Sequence, residues 1–149
     1  MQRVGKFEKV SGFKYDVELP VRATKGSAGY DIKTPVDIKL NPGESIMVET
    51  GLRVKIKEGW MLMIVPKSGL GAKFRCQLNN TTGIIDSDYY YAENQGHIMC
   101  PIINDSRDGK VLEIPAGKAF VQAIFVPYGI TEDDVCDGER TGGFGSTNA

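Results

Sequence analysis

The chain has 149 residues, enough for one globular domain with a sizeable core, and its 41% hydrophobic and 25% charged residues are ordinary for a globular protein. A net charge of −1 argues against a nucleic-acid-binding protein, because phosphate neutralisation needs an excess of lysine and arginine. The first ten residues contain no apolar leader, no apolar run is long enough to cross a bilayer, and three widely spaced cysteines favour a reducing compartment. We therefore expect a cytoplasmic protein, in the host cytoplasm if it is viral, that binds neither nucleic acid nor membranes.

Apolar and polar residues alternate with a period of two along most of the chain, which predicts β-strands. In chain order, the predicted strands cover residues 13–19, 36–40, 52–56, 60–65, 98–103, 111–114 and 120–126. The run from Trp60 to Val65 is continuously apolar, which is typical of a strand buried on both faces, and we expect Trp60 to lie in the core. Only residues 70–74 permit a short helix. The pattern predicts an all-β fold, a jelly-roll sandwich or barrel with at most one short helix.

The composition changes after Pro127. Residues 131–149 contain acidic residues and then a glycine-rich run, with little to bury. Such a segment does not pack by itself, so we predict a single domain over 1–149, with a β core in residues 1–130 and a mobile tail in residues 131–149. The tail nevertheless contains Arg140 and Phe144, a cation and a ring that suit a ligand.

The segment from Asn80 to Tyr89, Asn-Thr-Thr-Gly-Ile-Ile-Asp-Ser-Asp-Tyr, is the strongest candidate for a site. It predicts a strand, a tight turn and a second strand that ends at Asp86. A strand end holds a carboxylate rigidly, and the Tyr89 ring follows three residues later. This arrangement suits a pocket for a small planar ligand with a base beside it. A plain hairpin with a polar turn has the same pattern.

Four other clusters contain groups that suit a phosphorylated ligand. Residues 28–32, Ala-Gly-Tyr-Asp-Ile, place Asp31 near the start of a strand. Residues 66–70, Pro-Lys-Ser-Gly-Leu, add a cation, a hydroxyl and a glycine at a predicted helix start, where backbone N–H groups can hold phosphate oxygens. Residues 117–122 place Gln122 in a strand, and the tail supplies Arg-Thr-Gly-Gly-Phe-Gly-Ser-Thr at 140–147.

In this order, the five segments resemble the motifs of the trimeric dUTP diphosphatase (dUTPase) family across residues 28–147. The motifs around Asp31, around Asp86 and in the tail are specific, whereas the one that ends at Gln122 is loose. The resemblance implies a jelly-roll subunit and a homotrimer with active sites at subunit junctions. It also implies hydrolysis of dUTP to dUMP and pyrophosphate by attack on the α-phosphorus. This reaction would keep uracil out of DNA and supply dUMP for dTTP synthesis.

The resemblance also implies a role for each matching residue. Asp86 would deprotonate the attacking water. Asn80 and the turn at Gly83 would bind uracil, and Tyr89 would exclude a ribose 2′-hydroxyl. Mg²⁺ would be bound mainly by the substrate triphosphate, with Asp31 ordering its water shell. The other substrate-binding positions would be Lys67, Ser68, Gly69, Gln122, Arg140, Phe144, Gly145, Ser146 and Thr147, with Phe144 stacking on uracil.

The chain departs from the family pattern in three places. Lys67 replaces the usual arginine and loses its bidentate geometry. Lys118 and Ala119 replace an acidic residue and an arginine. Residues 90–95 lengthen the loop after Tyr89. This loop could alter access to the sugar pocket or contact a neighbouring subunit, and an inert surface insertion is equally an open interpretation.

Two other functions are compatible with the pattern. A dCTP deaminase would have the same fold and a similar phosphate site, but the Ile-Asp-x-x-Tyr setting of Asp86 favours the diphosphatase. A nucleotide-sensing regulator that binds partner proteins is supported only by the loop at residues 90–95.

Overall fold

The computed structural model describes residues 1–145, and these form twelve strands, one α-helix and one 3-10 helix. The strands are β1 (Gly5–Lys9), β2 (Val21–Arg22), β3 (Tyr30–Lys33), β4 (Ile38–Leu40), β5 (Ser45–Glu49), β6 (Leu52–Ile56), β7 (Trp60–Pro66), β8 (Cys76–Leu78), β9 (Gly83–Ile85), β10 (Met99–Asn104), β11 (Leu112–Ile114) and β12 (Ala119–Pro127). The α-helix α1 spans Ser68–Phe74, and the 3-10 helix spans Ser87–Tyr91. The prediction of an all-β fold with one short helix is confirmed. Neither helix in residues 1–145 is long and apolar enough to cross a membrane.

The strands pair antiparallel in four sheets around one core. The largest sheet has the order β2-β3-β12-β7-β9, and a second has the order β5-β10-β8. The pairs β1-β6 and β11-β4 complete the set. Fully buried apolar side chains from all four sheets form one cluster, and each contributes about 1.5–3 kcal/mol on burial. The largest of them include Phe120, Ile32, Leu62, Leu52, Ile102 and Leu112.

The predicted strand at residues 13–19 is wrong. This segment is irregular, and Tyr15 and Leu19 are exposed. It pairs with no strand of residues 1–145, and Phe13 packs instead with its ring 5.4 Å from that of His97. The first strand is β1, whose one buried side chain, Phe7, leaves little periodicity to detect.

Within the described residues, strand β7 is fully buried on one face only, so the expected burial on both faces is not complete in one subunit. Leu62 and Ile64 lie in the core, whereas the side chains that alternate with them are only partly buried. On this second face, Met63 lies opposite Ile124 of β12 and Ile84 of β9. Ile84 is 48% exposed. Trp60 packs against the core but is only partly buried.

The turn between β8 and β9 carries the chain from one sheet to another. Strand β8 pairs with β10, whereas β9 pairs with β7. The expected strand, turn and strand are therefore present, but the two strands do not form a hairpin with each other. Thr81 adopts a positive φ of 72° in this turn and donates its N–H to the Leu78 carbonyl. The divergence of the strands opens a space between the sheets.

Candidate active site

A cavity of about 180 Å³ occupies the space where β9 diverges from β8. Because β9 pairs only with β7 within residues 1–145, the N–H and C=O groups on its other edge have no strand partner there. The cavity is lined by Ile64, Leu78, Asn80, Gly83, Ile84, Ile85, Asp86, Tyr89, Met99, Cys100, Pro101, Arg140, Gly143 and Phe144. The structure thus brings together six of the predicted site residues at one apolar pocket with polar edges.

Asp86 and Tyr89 are positioned by the end of β9 and the short helix that follows. Asp86 has an extended backbone, and its carbonyl accepts the Tyr89 N–H at 3.2 Å. The Tyr89 ring is only 6% exposed. Its hydroxyl donates to the His97 carbonyl at 2.6 Å and accepts from Asn94 Nδ2 at 2.9 Å. The ring is therefore fixed at both its backbone and its hydroxyl end.

The tail lies across this pocket within the same subunit. Arg140 donates through Nη2 to Asp86 Oδ2 at 2.5 Å and through Nε to Asp88 Oδ1 at 2.7 Å. The Thr141 carbonyl accepts the Glu93 N–H at 3.0 Å. Arg140 therefore occupies one carboxylate oxygen of Asp86 and one of Asp88 in this structure.

The glycines of the tail allow its backbone to approach the Tyr89 ring closely. Gly143 lies so close to the Tyr89 ring that a Cβ on it would be 2.9 Å from Cε1. Phe144 lines the cavity with 61% of its surface exposed, and Gly145 follows with a φ of 95°. The predicted positions Ser146 and Thr147 lie outside the described residues.

The predicted phosphate residues form a second cluster. Lys67 Nζ donates to Asp31 Oδ1 at 2.7 Å, and Gln122 lies opposite Asp31 in the register of β12 and β3. A Cβ on Gly29 would be 2.3 Å from the Gln122 side-chain oxygen, so a larger residue at this position would displace the Gln122 amide. Ser68 and Gly69 are exposed at the start of α1, where Lys67 is the N-cap and provides no side-chain hydrogen bond to the helix.

The register of the large sheet separates the two clusters. Ile85, which precedes Asp86, lies opposite Leu62. Lys67 is five residues further along the chain, about 17 Å at 3.3 Å per residue. Asp86 and the Lys67 cluster therefore lie at opposite ends of β7 in one subunit.

The loop at residues 90–95 packs against other segments of the same subunit. The Tyr90 hydroxyl donates to Glu8 Oε1 at 2.7 Å, and the Arg53 guanidinium lies 3.7 Å from the centre of the Tyr90 ring. Gln95 Oε1 accepts the Ser11 N–H at 3.0 Å. The Asn-Gln-Gly sequence at 94–96 is a turn signal that could have indicated part of this arrangement.

His97 is a further residue near the site that the motifs do not identify. Its Nε2 accepts the Gly51 N–H at 2.9 Å, so this nitrogen carries no proton. Burial lowers the pKa of His97 below its ordinary value, although Glu49 opposes this effect. The neutral ring therefore helps to hold the backbone segment whose carbonyl accepts the Tyr89 hydroxyl.

Comparison with known proteins identifies the family. The dUTPase family model matches residues 15–148. This chain belongs to the dUTPase family. A deoxyuridine 5′-triphosphate nucleotidohydrolase of Lactococcus lactis subsp. lactis (strain IL1403) is 36% identical, and the match covers 96% of this chain and 97% of that protein. A protein with the same name from Escherichia coli O9:H4 (strain HS) is 38% identical over 85% of each chain.

Solved structures show the same fold. The crystal structure of dUTPase from Streptococcus mutans matches with a TM-score of 0.73 and 31% identity, covering 85% of this chain and 98% of that chain. A mutant dUTPase from phage phi11 of S. aureus, described with a coordinated structural Mg(II) ion, matches with a TM-score of 0.72 and 22% identity over 91% and 98% of the two chains. The predicted dUTPase-type fold is confirmed.

Proposed function

We propose that this dUTPase-family protein hydrolyses dUTP to dUMP and pyrophosphate, with Asp86 as the base that activates water for attack on the α-phosphorus. The observation that carries the proposal is the single cavity at which Asn80, Gly83, Asp86 and Tyr89 meet. The named relatives support dUTP as the substrate. The reaction would keep uracil out of DNA and supply dUMP for dTTP synthesis.

The cavity suits uracil better than cytosine. The free edge of β9 offers N–H and C=O groups at Gly83–Ile85, and Asn80 adds an amide. Uracil presents acceptor, donor and acceptor along one edge, which such groups can pair. Cytosine presents a donor where uracil has an acceptor and would leave buried polar groups unpaired, which discriminates strongly.

The sugar would lie on Tyr89, whose hydroxyl is occupied by two hydrogen bonds. A ring fixed in this way would resist displacement and so exclude a 2′-hydroxyl. Asp86, three residues earlier, would lie beside the α-phosphate and hold the water in line with the leaving group. Positioning and charge neutralisation would supply most of the catalysis.

We infer that a neighbouring subunit supplies the phosphate-binding groups. The separation of about 17 Å along β7 places the Lys67 cluster of one subunit away from its own Asp86. A homotrimer with sites at subunit junctions would bring Ser68 and Gln122 of a neighbour to the triphosphate. The partly exposed apolar face of the sheet, with Met63 and Ile124, is consistent with such assembly.

Mg²⁺ fits this site as a substrate-bound ion. Residues 1–145 contain no group of three or more His, Cys, Asp or Glu residues that could hold a metal by themselves. Lys67 occupies Asp31 Oδ1 but leaves Oδ2 for the water shell of an ion held by phosphates. When bound, Mg²⁺ would neutralise charge on the triphosphate.

Residues 131–145 of the tail would act as a mobile lid, and the other predicted lid residues lie outside the described part of the chain. Substrate phosphates would compete with Asp86 for Arg140, which would free the base as the lid closes. Phe144 at the cavity mouth would then stack on uracil, and closure would exclude water. We place the activity in the cytoplasm, of the host if the protein is viral, because Cys76, Cys100 and Cys136 are all free thiols.

A substrate panel tests the proposed function. Pyrophosphate release should be fast with dUTP and Mg²⁺ and at least a hundredfold slower in kcat/KM with dTTP, dCTP and UTP. Ammonia release from dCTP without pyrophosphate release from dUTP would contradict the proposal and support a deaminase.

A further inference from the structure

Tyr89 is fixed by a side chain that the family motifs do not include. Its hydroxyl donates its only proton to the His97 carbonyl at 2.6 Å. The second hydrogen bond at this oxygen comes from Asn94 Nδ2 at 2.9 Å. Asn94 lies in the lengthened loop after Tyr89, five residues along the chain.

The backbone around Asn94 is arranged to aim this amide. Asn94 Oδ1 accepts the Gly96 N–H at 3.1 Å, so both ends of the amide are engaged. Gly96 has a φ of 69°, and a Cβ there would be 2.6 Å from the Tyr89 carbonyl oxygen. The turn therefore folds back tightly onto Tyr89. Asn94 itself is exposed, so its replacement leaves the core intact.

We propose that Asn94 is a positioning residue that holds the Tyr89 ring against the sugar and thereby sets discrimination against ribonucleotides. The inference rests on the proposed dUTP hydrolysis. Exclusion of a 2′-hydroxyl is a steric effect, and it is only as strong as the resistance of the ring to displacement. Without Asn94, a single hydrogen bond from the hydroxyl holds the ring on that side, and small displacements change specificity and rate.

Two substitutions at Asn94 separate the hydrogen bond to Tyr89 from the conformation of the loop. Asn94→Asp keeps an acceptor for the Gly96 N–H but removes the donor to the Tyr89 hydroxyl. Asn94→Ala removes both. Gln95→Glu is the matched control, because it also replaces an amide by a carboxylate, one residue away. It keeps the acceptor for the Ser11 N–H and loses the donor to the Ser11 carbonyl, and Gln95 has no hydrogen bond to Tyr89.

The readout is the ratio of kcat/KM for dUTP to kcat/KM for UTP, measured with Mg²⁺ and accompanied by thermal melts. One hydrogen bond corresponds to a change of about three- to tenfold, so both Asn94 variants should lower the ratio by that factor. Gln95→Glu should leave it unchanged. In a Tyr89→Phe background, Asn94→Asp should have no further effect, because the shared hydroxyl is gone.

An unchanged ratio in Asn94→Asp would overturn the inference, as would an equal loss in Gln95→Glu or a full further loss in the Tyr89→Phe background. If Asn94→Ala fails to fold, the comparison of Asn94→Asp with Gln95→Glu still shows whether Asn94 sets discrimination against ribonucleotides. Failure of the wild-type protein to hydrolyse dUTP would contradict the proposed function itself, which is a separate outcome.

Discussion

Mixing two inactive variants should restore activity, because the two halves of the proposed site lie at opposite ends of β7. Asp86→Asn removes the proposed base from one type of subunit. The double substitution Lys67→Ala and Ser68→Ala removes the phosphate-binding side chains from the other type. Both sets of side chains are at least partly exposed, so each variant should fold. Each alone should lose at least about a hundredfold in kcat.

The magnitude of the restored activity follows from trimer geometry. In a cyclic trimer, every mixed assembly has one junction at which an intact Asp86 meets an intact Lys67 cluster. Random assembly of equal amounts makes about three quarters of the trimers mixed, and one of three sites works in each, so about a quarter of the wild-type activity should return.

The assay is pyrophosphate release from dUTP after the two variants are unfolded and refolded together. Co-refolded wild-type protein is the reference, and the two variants refolded separately and then combined are the control. Activity that stays at the level of the separate variants would refute the shared site and would place all catalytic groups in one subunit.

Three further predictions concern the tail, His97 and Gly29. Truncation before Arg140 should lower kcat at least tenfold and leave the melting temperature within about 2 °C, because the tail contributes little to the core; an unaltered rate would remove the tail from the mechanism. The lowered pKa of His97 means that the unfolded chain binds its proton more readily, so stability should fall as the pH drops below about 6.5 and through the lowered pKa of the folded protein. His97→Gln should flatten this part of the profile in urea unfolding, and an identical profile would show that protonation of His97 does not contribute. Gly29→Ala would bring a Cβ within 2.3 Å of the Gln122 oxygen, so KM for dUTP should rise about tenfold; an unchanged KM would contradict a role for Gln122 in binding.

The local part of the site could be predicted from the sequence. Asp86 follows β9 and Tyr89 follows Asp86 within one continuous segment, so strand and turn signals were enough to place them near each other. The lining of the cavity by β10 depends on how two sheets diverge, which no local pattern specifies. The contact of Arg140 with Asp86 joins residues 54 positions apart, so no local sequence pattern predicts it either.

The errors have a common physical cause, since periodicity describes side chains but does not identify partners. Residues 13–19 alternate as a strand does, but they pair with no strand among the described residues. The continuous apolar run of β7 predicted burial on both faces of the strand. Within the described residues, the face that carries Met63 is only partly buried. An interface between subunits and an internal core produce the same apolar sequence.

The most direct test of Asp86 as the base is a comparison of turnover and binding in Asp86→Asn. This substitution keeps the size of the side chain and removes its basicity. Steady-state pyrophosphate release should fall at least a hundredfold, while the Kd for dUTP, measured by calorimetry before turnover, should stay within about threefold of the wild type. Retained turnover with unchanged binding would contradict the central claim that this carboxylate activates the water.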